Sequence, residues 1–334
     1  MIGFNFRKIE KNMPSLLRTA LLLSVVFLCA HAQAQAYPDK PIRVIVPVPP
    51  GGTPDVTARL VAPGMGKLLG QQLVIDNRGG AGALIGTELA ARAVPDGYTL
   101  LITSGGPLTI VPHIQKNVPY DPLRDFAPVG MISSGPFVLI AHPSAPFKTV
   151  RELAAAAKAA PGKINYASAG NGSPNHLATE LLKNMTGLEL THVPYKGAPQ
   201  AVTDVLANHI DITFSSIAPV LAHIRGGRLQ ALVITGTKRS PQLPEVPTVS
   251  ETLARGYEFY SWFGLLAPAK TPAPIVSRLT STLAQVVHSP EMRAQFESQG
   301  AEPVGNSGAD FGAFIRRESE RNGKIAKVAR IRID

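Results

Sequence analysis

Two segments of this chain combine a glycine-rich turn with a hydroxyl residue and a proline: Pro50-Gly51-Gly52-Thr53-Pro54-Asp55 and Gly170-Asn171-Gly172-Ser173-Pro174-Asn175. Each follows an apolar run that reads as a strand, Ile42 to Val46 and Ile164 to Ala167. Glycine frees the turn, Thr53 and Ser173 are residue types that cap helices, and proline opens a helix where no N–H partner is lost. The unpaired amides and positive dipole end of such a helix start attract anions. The chemistry expected is grip on one small anion from two sides rather than bond making.

Three more segments of this kind end strands: Thr103-Ser104-Gly105-Gly106-Pro107, Tyr195-Lys196-Gly197-Ala198-Pro199 and Ser215-Ser216. In open α/β sheets ligands bind outside the carboxyl ends of strands, so these loops should converge. The candidate ligand-binding residues are Gly51, Gly52, Thr53, Asp55, Ser104, Gly172, Ser173, His176, Tyr195, Lys196, Gly197, Ser215 and Ser216. Asp55 is open to three roles: compensating the helix dipole, bracing the loop, or accepting a hydrogen bond from a ligand hydroxyl or amino group. Ser173 caps first and binds second. His176 fits packing or ligand contact, and Lys196 either neutralises an anion or reaches solvent while Tyr195 packs. The serine hydroxyls suit direct or water-mediated bonds.

Catalytic signatures are missing: no Gly-x-Ser-x-Gly elbow, no His-Glu-x-x-His and no Gly-x-x-x-x-Gly-Lys phosphate loop occurs. The run from Gly80 to Gly86 mimics a dinucleotide fingerprint but is one residue too long, and the histidines show no paired ligand spacing. No cofactor and no metal are expected. A hydrolase or isomerase built from Ser, His and Asp brought together by folding is the competing reading.

The elements that must position these loops alternate short β-branched runs with helices, as parallel α/β layers do. Strands are expected at Ile42–Val46, Gln72–Asp76, Tyr98–Thr103, Ala127–Ile132, Phe137–His142, Ile164–Ala167, Glu189–Val193, Ile210–Phe214, Leu229–Thr235 and Phe259–Ala267. Thr149 with Glu152 predicts a capping box ahead of Pro161-Gly162, and Leu177, Leu181 and Met185 predict one buried stripe. Pro63, between Ala62 and Gly64, predicts a kink or stop near Val61 in the first helix, since an interior proline costs about 3 kcal/mol. Beyond Pro272 the chain reads as almost wholly helical.

At 334 residues, 45% hydrophobic and 17% charged, the chain should fold into two globular lobes. Arg7, Lys8, Lys11 and Arg18, then Ala20 to Ala30, then Ala32-Gln33-Ala34 or Ala34-Gln35-Ala36, read as a cleaved secretory signal peptide. The single cysteine, Cys29, lies within it, without the small residues that precede a lipid-modified cysteine, so the mature chain has no thiol. Losing residues 1–36, with four Lys/Arg and one Glu, takes the formal charge from +10 to +7. The densest basic group, Arg316 to Lys327, is interleaved with Glu318 and Glu320, which fits a solvated helix face and not a nucleic-acid patch. No second long apolar run follows, so a soluble mature protein is expected.

Several pieces in sequence resemble the extracytoplasmic solute receptors of tripartite tricarboxylate transporters, the Bug family. They are Tyr37-Pro38 with Pro41-Ile42, Pro50-Gly51-Gly52 with Asp55 and Ala58-Arg59, Asn77-Arg78 with Gly80-Ala81-Gly82, and Asp96 to Leu100. Ser168 to Ser173 with His176-Leu177, Val193 to Gly197, Pro244 to Glu251 and Trp262 to Leu265 continue the order. The resemblance implies a type II periplasmic binding-protein fold, with α/β lobes at 37–136 plus 263–334 and at 137–262, crossing near Gly135-Pro136 and Ser261-Trp262. It further implies a periplasmic monomer that binds a small organic acid between the lobes and delivers it to membrane subunits of the transporter. A sensory binding protein acting through a membrane kinase is the alternative within that fold.

Overall fold

The structure, a computed structural model, describes residues 37–331. The segment read as a signal peptide, with Cys29, lies outside the described residues. From Lys40 onward the chain is one compact unit. Its elements are β1 (Ile42–Val46), α1 (Thr53–Leu69), β2 (Leu73–Asn77), a 3-10 turn (Ala81–Ala83), α2 (Leu84–Ala91), β3 (Thr99–Ser104), a π-helical turn (Gly106–Ile110), α3 (Val111–Ile114) and β4 (Phe126–Ala141). There follow α4 (Val150–Ala159), β5 (Asn165–Ser168), α5 (Pro174–Thr186), β6 (Thr191–Pro194), α6 (Ala198–Leu206), β7 (Ile212–Ser216), α7 (Ile217–Arg225) and β8 (Gln230–Ile234). The chain ends with α8 (Val249–Thr252), β9 (Tyr260–Pro268), α9 (Ala273–Val287), α10 (Pro290–Ser298), β10 (Glu302–Pro303) and α11 (Gly308–Val328).

The sheet order is β2-β1-β3-β9-β4-β7-β5-β6, with β8 and β10 also paired to β4. The flanks are parallel, β1 with β2 and β3, and β5 with β6 and β7. The centre is antiparallel, which corrects the all-parallel expectation. Its cause is topological: β4 carries the chain out of the first half and β9 carries it back, so they run in opposite directions. The two strands expected at Ala127–Ile132 and Phe137–His142 are one strand, β4, continuing through Ser133-Ser134-Gly135-Pro136. Register shifts after Pro128 and Met131 bend it. Up to Pro136 it pairs with β9, and from Phe137 it pairs with β7 while Val138 begins the pairing with β8.

Side-chain packing follows the same division. Ile45, Leu84, Leu101, Trp262 and Phe311 share one buried cluster, and Val138, Ile140, Ala167 and Val205 another. A third joins Phe137, Tyr166 and Leu177 to Ile110, Ile114 and Ala326, so the end of α11 packs against the second half.

Pro63 does not stop α1, which runs unbroken to Leu69. Pro63 and Arg59, whose carbonyl it would have bonded one turn earlier, both lie on the exposed side of the helix, where losing that bond costs least. Gly64 faces α9, and a Cβ there would stand 3.0 Å from Val286 Cγ1, so the glycine lets two helices approach closely. The α5 stripe is corrected: Leu177 is fully buried, Leu181 half-buried and Met185 40% exposed. At 3.6 residues per turn, a four-residue spacing drifts about 40° per step, and Leu177, Ala178 and Leu182 form the buried face instead. Thr149 caps α4 by accepting from Glu152 N, but the Glu152 carboxylate takes Lys148 N, so half of the expected box forms.

Candidate functional site

A cavity of about 900 Å³ opens where the strand-end loops meet. Of the residues expected to bind, all line it except Gly51, Asp55 and His176. Asp55 and His176 are buried and Gly51 is exposed, each next to lining residues of its own loop or helix. Gly51 has φ +80 and Gly172 φ +76, so the two loops turn with the same left-handed glycine. Gly52 (φ −65, ψ 152) and Ser173 (φ −71, ψ 153) then hold the N-cap positions of α1 and α5. The Gly51 amide donates to Asp55 Oδ2 at 2.9 Å, and the Gly172 amide donates to His176 Nδ1 at 3.3 Å. Asp55 and His176 are thus equivalent braces, each four residues beyond its glycine, and neither reaches the lining.

This geometry corrects the capping assignment. Thr53 is the first helical residue and not the cap, and its hydroxyl donates across the cleft to Ser216 Oγ at 3.4 Å. Ser173 holds the cap position, but its hydroxyl donates to Gly170 O at 2.5 Å, a loop bond that caps nothing. The two helix starts match through Gly51 and Gly172, one position away from the register that their prolines suggest.

The braces differ in charge. Burial alone would raise the Asp55 carboxyl, but hydrogen bonds from Arg59, Gly51 and Asn77 and the Arg59 charge outweigh it and hold it below the usual carboxylate range. Asn77 Nδ2 bridges Asp55 Oδ1 at 3.0 Å and Val48 O at 3.1 Å, a supporting role that sequence reading missed. Burial, then the nearby Lys183 charge, pushes His176 down to about 4, so that brace is neutral. His176 stacks on His192 with ring centroids 4.0 Å apart, and His192 stacks on Tyr166 at 4.8 Å. Burial first and then His176 push His192 down to about 3, Glu180 opposing and Lys183 adding to the shift. Tyr166 and His192 are register partners on β5 and β6, a pairing visible only once the sheet order is known.

Both imidazoles are neutral in the fold but protonate near pH 6.5 when unfolded, so the unfolded state gains protons first as pH falls. Stability should therefore decline from about pH 6.5 toward pH 4, by up to about 1.4 kcal/mol per pH unit for each histidine. Melting temperatures measured across that interval check this, and His192→Gln should flatten the slope.

Tyr195 lines the cavity while its hydroxyl donates to Asp204 Oδ2 at 2.6 Å; burial and that carboxylate push it up to about 12. Lys196 is exposed and has no ion pair or hydrogen bond among the described residues. The lining also includes residues not expected from sequence: Phe137, Phe214, Phe263, Leu84, Val111 and Gln115. The 79–83 turn lines it too, and its glycines belong to the Asn77–Gly82 segment that carried the resemblance. Among the described residues no group of three or more His, Cys, Asp or Glu could hold a metal. Ser168 Oγ lies 2.6 Å from His192 Nε2, a pairing that serves nucleophiles elsewhere, but Ser168 is fully buried and is held by Gly170 on its other side.

Two α/β lobes joined through β4 and β9, with opposed helix starts at a cleft, define a solute receptor of the type II periplasmic binding-protein fold. The profile described as "Tripartite tricarboxylate transporter family receptor" matches residues 57–331, and the chain belongs to that family. It is 36% identical over 312 residues to Protein BugT of Bordetella pertussis, covering 93% of this chain and 96% of that protein. A solved structure of R. palustris Rpa4515 with adipate superimposes with a TM-score of 0.86 at 35% identity, covering 89% and 99% of the two chains. MatC (Rpa3494) from Rhodopseudomonas palustris with bound malate gives 0.82 at 29% identity, covering 86% and 99%.

Proposed function

We propose that this receptor captures a small organic acid in the cleft, without turning it over, and delivers it as a periplasmic monomer to the membrane subunits of a tripartite tricarboxylate-type transporter. The observation that carries the reading is the meeting of glycine loops from both halves around one cavity. A Cβ on Gly106 would stand 3.1 Å from Gly172 O, and one on Gly82 would stand 3.1 Å from Asn171 O. A side chain at either position would push the two faces apart by a few tenths of an ångström. The acids in the two structural relatives, adipate and malate, are small carboxylates. The positive dipole ends of the helices that start at the cavity, and Lys196, suit that group.

The change of partners along β4 at Pro136 supports lobes at 37–136 plus 263–334 and at 137–262. The leader at residues 1–36 supports export. No described helix is long and apolar enough to cross a membrane. The buried Ser168 supports binding without turnover, since no substrate carbonyl in the cleft could meet its hydroxyl. Closure of the lobes on the ligand would follow a hinge, with the closed form favoured by contacts to both sides.

Micromolar capture corresponds to about −8 kcal/mol, within reach of three or four charge-assisted bonds of about 1.5–3 kcal/mol each once ordering is subtracted. A thermal-shift screen of carboxylates tests the reading. At a hundredfold excess over Kd a true ligand adds about 2.7 kcal/mol and raises Tm by several degrees. A flat response across a broad panel, with no acid co-purifying, would remove the organic acid from the proposal.

A further inference from the structure

We infer that the cleft is built for an acid with a single ionised carboxylate, held against the second lobe, and an uncharged apolar body of ring size lying toward the first. The inference rests on the receptor reading above and adds the charge and polarity of the ligand.

Three observations point the same way. Lys196 is the one formally charged residue in the lining, and it is unpaired among the described residues. It stands on the second lobe, where α5, α6 and α7 all begin at the cavity with no acidic residue in their first turns. The positive potential on that side is therefore uncompensated, and its loop brace, His176, is neutral. On the first lobe the matching helix start is already answered by Asp55, whose carboxylate holds the Gly51 amide. A second carboxylate placed against the start of α1 would meet an occupied helix end, and no charged residue of the first lobe lines the cavity.

What the first lobe offers instead is apolar. Val48, Leu84, Val111 and Phe263 line its side, and Phe137 and Phe214 line the second lobe's side. Among the polar residues at that end, Ser104 and Gln115 have side chains with no hydrogen bond among the described residues, which suits an uncharged hydroxyl, amide or ring nitrogen. An apolar chamber disfavours an unpaired charge and favours a ring. The single-charge assignment separates this site from a general carboxylate trap.

Calorimetric titration of the full mature chain, stripped of co-purified small molecules, decides it with matched pairs of acids: 4-methylbenzoate against terephthalate, and hexanoate against adipate. Each monoacid should bind about tenfold or more tightly than its diacid, the scale of one unpaired charge in a closed site. Lys196→Met should weaken 4-methylbenzoate about tenfold while leaving any weak binding of 4-methylbenzamide unchanged. Gln115→Arg, which supplies a cation to the first lobe, should shift preference toward terephthalate. If the diacids bind as tightly as the monoacids or more so, the single-charge assignment is wrong while the receptor reading stands. If none of the four acids binds while another organic acid in the broad panel does, this inference fails and the receptor reading stands; if the broad panel is also flat and no acid co-purifies, the organic acid leaves both readings.

Discussion

Gly264→Val should abolish stable folding, and Gly264→Ala should lower the unfolding free energy by about 3 kcal/mol, near the upper end of overpacking costs. Gly264 lies in the middle of β9, in register with Thr103 of β3 on one side and Met131 of β4 on the other. Its backbone is pinned from both flanks and cannot retreat. A Cβ there would fall inside the edge of the Phe311 ring, with Cε1 at 2.5 Å. Phe311 has nowhere to go, since it is fully buried on α11 and stands edge-on to Trp262 at 5.5 Å. Gly264→Ala combined with Phe311→Leu should recover part of the loss, because leucine withdraws the outer ring atoms, and a non-additive cycle would identify the contact. Urea unfolding midpoints of the two single variants and the double variant measure this. An unchanged midpoint for Gly264→Ala would mean that α11 does not rest on β9 as described.

Sites like Gly264 show which parts of the structure were legible in sequence. The run Trp262-Phe263-Gly264-Leu265 marked a strand and a family segment, but the reason for its glycine lies on a helix 47 residues later in the chain. Strands were readable because β-branched runs between turn residues are local signals; β1 falls at Ile42–Val46 as expected. Their direction was not local. Whether β9 runs parallel or antiparallel to β3 depends on where the chain has been in between, and no short-range pattern records that.

The candidate site divides in the same way. Glycines, hydroxyls and Lys196 at strand ends located the cavity, because such loops have few other places to go. The roles of Asp55 and His176 stayed open because a side chain three residues into a helix can point forward to ligand or back to its own loop. The structure turns both back, onto Gly51 and Gly172. The aromatic lining was hidden for another reason: Phe137, Phe214 and Phe263 come from three strands, and in sequence each reads only as core. The tiny β10, Glu302–Pro303, carried no signal at all because proline and glutamate are poor strand formers.

Asp55→Ala should cost about 2–3 kcal/mol of stability and weaken ligand capture, whereas Asp55→Asn should cost about 1 kcal/mol and keep the loop closed. Asp55 is 2% exposed, and its carboxylate collects the Gly51 amide, the Asn77 amide and the Arg59 guanidinium. Alanine orphans the first two in a site with little water, and that is the larger part of the loss. The Arg59 ion pair adds less, because its side chain is 55% exposed and solvent screens it. Asparagine can still accept from Gly51 through its amide oxygen, so φ +80 at that glycine remains held.

The pH dependence has a definite sign. Because the folded carboxyl titrates below its unfolded value, the Asp55 contribution is fully present above about pH 4 and is lost as pH falls through the lower, folded value. The gap in Tm between wild type and Asp55→Asn should accordingly be constant from pH 7 to pH 5 and narrow only in stronger acid. The histidine pair already lowers stability of both proteins across the upper part of that range, and it cancels in the difference. Binding separates charge from scaffold: Asp55→Asn removes the negative charge behind the first loop without opening it, so anions should bind the variant at least as well as wild type. A loss of affinity in Asp55→Asn equal to that in Asp55→Ala would mean that the charge itself contacts the ligand, and Asp55 would move from the brace to the site.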